Sequence, residues 1–309
     1  MSYSQGNLIE ATDYNGLING TNQLNTVWGI GTGNAGYGQT AISTVSVAGL
    51  VTATQWSSLI NTLNSAITHQ SGSGSGISAV TSGQTISWLS TLQTNINTSY
   101  TNRLNAATTG TNQTGTGLAY AAWTSASTTA TLTRAFGARA TFASADQARY
   151  FFNAGGQLRF NISATSAGSA RSTAAQNLVG YMGGVSVFKT TTNGGRTGTG
   201  GTLNTNNTAL GYYNITTGNT NIVAVTSVTA NYTTDTASIA VRTNGTQGAN
   251  SDNGTQIDFW ATINSTAGGN AGGSFDDSLS LTPTVSIDVL FPETVNLTNS
   301  WGAVTISQL

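Results

Sequence analysis

The side chains that could do chemistry are few and widely spaced. The 309-residue chain has one histidine, His69, two glutamates, Glu10 and Glu293, one lysine, Lys189, and no cysteine. Glycoside hydrolysis needs two carboxylates flanking the bond. Glu10 falls in a helical N-terminal stretch, and nothing in the sequence selects a pair of aspartates. Ser/His/Asp catalysis would have to use His69. That residue falls at the end of a helix beside a Ser/Gly linker, where it reads as a surface or C-terminal residue favoured by the helix dipole. The acidic clusters Ser251–Asp258 and Phe275–Ser278, the latter holding Asp276 and Asp277, lack the alternating oxygen ligands of a calcium loop and read as turns. Thiolate and multi-histidine metal centres are excluded by composition. Gly31, Gly33 and Gly36 have the G-x-G-x-x-G spacing, but they follow a helix, whereas a dinucleotide site needs a strand before and a helix after. The chain reads as no enzyme, with no catalytic residue, no metal and no cofactor.

Charge narrows the partners. Asp, Glu, Lys and Arg make up 6% of the sequence, against roughly 25% in ordinary soluble proteins. The nine basic residues are scattered and form no stripe that could neutralise phosphates or an anionic membrane. No nucleic-acid binding and no membrane insertion are expected. With 38% hydrophobic residues and 25 aromatics (6 Trp, 10 Tyr, 9 Phe), a folded core is expected under a surface of Ser, Thr, Asn, Gln and Gly. No signal peptide is apparent at Met1, so synthesis in the cytoplasm is expected.

The elements that must position these residues begin with a repeat. Ile9–Asn22 returns 42 residues later as Val51–Asn64, identical at six of fourteen positions, with Tyr14 matched by Trp56. Tyr14, Leu17, Ile18, Leu24 and Trp28 share one face of a predicted first helix ending at Gly29. Thr52 and Gln55 have capping-box spacing, and Trp56, Leu59, Ile60, Leu63 and Ile67 form the stripe of a second helix. Between them lies the glycine-rich loop 29–39, which the sequence presents as holding out Tyr37 and Gln39. After the Ser/Gly linker Ser71–Gly76, a third and weaker copy runs from Val80 through Gln84 to Leu92 and Ile96.

Beyond residues 108–117 the pattern changes from helical to alternating. Strands are predicted at Thr131–Phe142, Gln157–Ala164, Val185–Thr190, Asn221–Tyr232, Ala237–Thr243, Thr255–Asn264, Thr284–Leu290 and Ala303–Gln308, separated by Gly/Asn/Thr clusters. Ala170–Tyr181 reads as an inserted helix, Gly194–Asn207 as an exposed loop, and Arg149–Phe160 as an aromatic hairpin filling the core. The fold class is thus α+β. A helical docking module over residues 1–70 is followed by a linker and third helix over 71–115, then a mainly antiparallel β-sandwich over 116–309.

Gly36-Tyr-Gly-Gln39 after a helix ending in Trp28, Val51–Trp56, Tyr150–Phe160 and Gly211-Tyr-Tyr-Asn-Ile-Thr216 together resemble a group of virion structural proteins of tailed marine phages, cyanophages in particular. The resemblance implies a particle component located in the virion, at the neck, tail, baseplate or a fibre. It implies partners that are copies of the chain itself, a trimer being one assembly it allows, and other virion proteins. For the assembly interface the residues singled out are Tyr14, Trp28, Tyr37, Gln39 and Trp56. The competing expectations are that Tyr37 folds back to plug the helix pair, and that the β domain is a receptor-binding fibre tip holding a host-surface glycan on Trp123 or Trp260.

Overall fold

In the computed structural model, residues 10–127, 130–189, 193–247, 252–266 and 278–309 are described. Ile9 of the repeat, Ser251, Asp276 and Asp277 lie outside them.

The first predicted helix is two helices, α1 (Ala11–Ile18) and α2 (Leu24–Trp28). The chain between them turns through Gly20 at φ +139° and Asn22 at φ +66°, which no helix accommodates. The second predicted helix is α3 (Ala53–Ser71), and the third is α4 (Leu89–Thr101). Tyr14, Leu17, Ile18 and Leu24 pack against Trp56, Leu59, Ile60 and Leu63, and α4 adds Leu92 and Ile96 to the same core. Tyr14 and Trp56, equivalent in the repeat, meet edge to face with ring centres 5.4 Å apart.

The repeat is also visible in local hydrogen bonds. The backbone N–H of Glu10 donates to Asp13 Oδ2 (3.1 Å), that of Thr52 to Gln55 Oε1 (2.7 Å) and that of Thr81 to Gln84 Oε1 (2.8 Å). Each copy therefore forms the same side-chain-closed turn. In the first two it starts a helix; in the third the helix begins several residues later, at Leu89.

Among the described residues the rest of the chain forms antiparallel sheets with two α-helices and a short 3-10 turn at Tyr212–Asn214. In order it forms β1 (Thr109–Gln113), β2 (Leu118–Ala119), β3 (Trp123–Ser125), β4 (Leu132–Thr141), α5 (Ala145–Asn153), β5 (Gln157–Ser166), α6 (Ala170–Met182), β6 (Val185–Phe188), β7 (Asn193–Arg196), β8 (Thr202–Asn206), β9 (Thr220–Thr226), β10 (Thr236–Thr243), β11 (Gln256–Ser265), β12 (Leu279–Pro292) and β13 (Thr305–Gln308). One sheet runs β1-β12-β5-β6-β7, with β2 and β3 also paired to β12; the other runs β13-β4-β11-β10-β9-β8. Alternate residues of β12 (Val285, Ile287, Val289) and β11 (Ile257, Phe259, Ala261, Ile263) are buried, as expected for strands with one face on a core. Phe160 of the first sheet stacks on Phe259 of the second, centres 5.3 Å apart. The α+β class with sandwich-like sheets is as expected.

Three local expectations are corrected. Arg149–Phe160 is not a hairpin: its first half is α5, capped by Ser144 accepting from Gln147 N–H (3.1 Å), and a glycine turn then feeds β5. Gly194–Asn207 contains two edge strands, β7 and β8. β7 is Asn-Gly-Gly-Arg, and the single apolar residue of β8, Leu203, is exposed, so hydrophobic alternation could not mark them. The Ser/Gly linker is held back onto α3, because Asn64 Oδ1 accepts from Ser75 N–H (2.8 Å) and its Nδ2 donates to Ile77 O (3.0 Å).

Candidate functional site

The densest polar chemistry lies where the helical module meets the sandwich. Val27 and Tyr37 of the module belong to the sandwich core, and Trp28 packs against both cores. The glycine loop is drawn into this junction. Gly31, Gly33, Gly36 and Gly38 all have positive φ. A Cβ on Gly36 would stand 2.2 Å from Ile30 O, and one on Gly38 would stand 2.3 Å from the Tyr150 ring. Glycine is required at both by backbone angle and by space.

Such a loop buries peptide groups, and each needs a partner. α5 supplies them. Arg149, fully buried, donates to Ala35 O (2.8 Å) and Ile30 O (2.9 Å), and to Asp146 Oδ1 (3.0 Å). One turn on, Asn153 Nδ2 donates to Gly36 O (3.1 Å), while its Oδ1 and Gly33 O both accept from the Tyr213 hydroxyl (2.8 Å each). Arg103, just past α4, grips Asn34 Oδ1 through Nη2 (2.8 Å).

Tyr37 and Gln39 therefore stand where the sequence did not place them. Tyr37 is completely buried; its hydroxyl donates to Arg103 O (2.7 Å) and accepts from Gln70 Nε2 (2.8 Å). Burial raises its pKa, against a Gln70 hydrogen bond and the Arg103 charge that lower it. The foldback reading of Tyr37 is closer, although the ring enters the junction instead of the gap between helices. Gln39 forms a two-way clasp with the segment after β12: Nε2 donates to Thr298 O (2.9 Å) and Oε1 accepts from Thr298 N–H (2.9 Å). Tyr14 and Trp56 are interior to the helical core, and only Trp28 is half-exposed. The side chains expected to be held out are instead the chain's own internal fastenings.

His69 is likewise not at the surface. It occupies the last turn of α3, buried, with Nδ1 2.8 Å from Glu293 Oε1. The two residues that acid/base chemistry would have wanted are thus together, but enclosed. Burial lowers the His69 pKa below its ordinary 6.5, outweighing the Glu293 hydrogen bond and charge and the Ala154 backbone, which raise it. The neutral ring donates Nδ1–H to the carboxylate, and Nε2 is left buried with no hydrogen bond of regular geometry. For Glu293 burial pushes the pKa up, but it remains below 4.5 because the Asn296 and Val295 backbone N–H groups, the Asn296 side chain and His69 all donate to it. The pair is an enclosed, charge-assisted hydrogen bond joining α3 to the segment after β12.

Other reactive candidates are also spent. Asp258 is held by Arg139 (2.7 Å) and Arg242 (3.2 Å). Among the described residues no group of three or more His, Cys, Asp or Glu could hold a metal, and no helix is long and apolar enough to cross a membrane. Trp123 is buried, and half-buried Trp260 has the Arg242 guanidinium 5.9 Å from its ring centre.

Besides polar side chains the described residues of the module expose three large aliphatics, Ile30, Val47 and Leu50. Ser46–Leu50 is a tight turn, closed by Gly49 N–H to Ser46 O (2.8 Å), with Val47 84% and Leu50 79% exposed. The sequence carried a signal for α5's role that was passed over: Arg149 and Asn153 are two polar residues four apart in a segment otherwise rich in aromatics. Comparison with protein-family models, curated proteins and solved structures finds no match.

Proposed function

We propose that the chain is a non-enzymatic structural component of a phage virion, in which the helical module docks to the particle and the β domain projects from it or bridges neighbours. Its partners in this reading are copies of itself and other virion proteins. The observation that carries the docking is the Val47–Leu50 turn. Two large aliphatics, four-fifths exposed on one tight turn of a chain with 6% charged residues, form a neutral contact that gains by leaving water. This turn replaces Tyr37 and Gln39 as the docking element. The consumption of His69, Glu293 and Asp258 in internal contacts supports a structural role over a catalytic one.

The test is protein mass spectrometry and cryo-EM of purified particles, together with Val47→Asp and Leu50→Asp. The expected result is density for many symmetry-related copies, and a folded double variant that fails to join particles. Particles that contain none of the chain would overturn the virion reading. Normal incorporation of the double variant would overturn the turn as docking element.

A further inference from the structure

A cleft of about 520 Å³ opens between α3 and the extended segment 39–43. We infer that this cleft binds a neutral saccharide. Its lining includes the half-buried Trp28, whose indole is fixed because Nε1 donates to Thr40 O (3.1 Å). With its N–H committed, the indole has only its apolar face to offer. One wall carries Thr54, Ser58 and Thr62 at four-residue intervals on α3, a ladder of hydroxyls rising about 6 Å per step. Thr40 and Ser43 face it from the other wall. The remaining lining residues are also uncharged, and the Tyr14 hydroxyl is already donated to Gln55 O (3.2 Å).

That chemistry selects among ligand classes. A charged ligand finds no counter-charge. An apolar helix would desolvate the hydroxyls without pairing them. A peptide strand needs a continuous run of free peptide groups, but Ile42 spends both its N–H and its C=O on the Asn25 side chain (2.8 and 2.9 Å) and Thr40 O is taken by Trp28. A sugar ring has an apolar face for the indole and a rim of neutral hydroxyls for the two walls. The inference does not rest on the virion reading, since it concerns what the cleft holds and not where the chain docks.

The test applies the full chain to an array of neutral and acidic oligosaccharides, followed by titration of the best neutral binder monitored by tryptophan fluorescence. The expected result is neutral-glycan binding, weakened by about tenfold or more in Thr54→Arg and Ser58→Arg, which fill the cleft from exposed positions. Asn61→Arg, on the same helix but outside the lining, should keep it. A folded chain that binds no glycan, or binds acidic ones alone, would overturn the inference. So would binding that survives both cleft substitutions or is lost equally in Asn61→Arg. Amide chemical-shift mapping on the unsubstituted chain needs no variant: with the same oligosaccharide, shifts should centre on residues 40–43 and 54–62, and a footprint elsewhere overturns the assignment.

Discussion

Loop 29–39 and turn 46–50 belong to one connection, between α2 and α3, yet they treat water in opposite ways. The first is glycine-rich, and although Ile30 and Thr32 near its start are exposed, its second half takes a phenol and an amide inside. The second carries valine and leucine and stands in solvent. Side-chain polarity alone would assign them the other way round. What decides is whether every polar group finds a partner once buried. Glycine lets the loop's backbone approach α5, where Arg149 and Asn153 saturate its carbonyls, and Tyr37 and Gln39 find both donors and acceptors across the junction. Nothing within the described chain covers Val47 or Leu50. The contrast teaches that polar loops are buried where a neighbouring element is built to complete them.

That contrast can be broken from its strongest point. Arg149→Met should cost about 3 kcal/mol or more, because two buried carbonyls lose their donor at ~1–3 kcal/mol each; denaturant unfolding measures it. A loss below 1 kcal/mol would mean that the loop is not held by α5. Tyr37→Phe keeps the ring but removes the partner of the Arg103 carbonyl and of one Gln70 N–H, the other still bonding Ser99 O, and should cost about 1–3 kcal/mol by the same assay.

Acid should loosen the junction next. His69 has a folded pKa below 6.5 and Glu293 one below 4.5. In each case the unfolded chain takes up the proton first, so stability is full above the ordinary value and falls with pH. Loss should begin below pH 6.5 through His69 and continue below 4.5 through Glu293. Thermal melts over that range should show it, and His69→Gln should remove the upper step. A melt that stays flat between pH 6.5 and 5 would contradict the direction assigned to His69. The smallest effect belongs to the exposed turn: Val47→Ser with Leu50→Ser should shift stability within about 0.5 kcal/mol, and a large loss would mean that the turn packs after all.

How much could be read in advance follows from the same physics. The strands of the sandwich were legible because one face of each is apolar, as in β11 and β12, whereas β7 and β8 are polar edges with no such signature. Both copies of the repeat were legible as helices, but not the break between α1 and α2, which depends on Gly20 and Asn22 adopting positive φ. His69 and Glu293 are separated by 224 residues, and no local pattern joins them. Tyr37 and Gln39 were visible as unusual, but their direction was set by residues far along the chain, 33 and 66 positions away for Tyr37 and 259 for Gln39.

The amide clasps have a consequence for sequence change. Asn15 holds Val45 through its N–H and C=O (2.8 Å each), Asn25 holds Ile42 in the same way, and Gln39 holds Thr298. Each grips a peptide group, which every residue but proline possesses in full. The exposed positions of segment 40–45 are therefore fixed in shape without being fixed in identity, whereas Val45 is also held by the core. Substitutions at positions 41 and 43, which line the cleft, can rewrite what its wall presents while the frame that carries it stays the same.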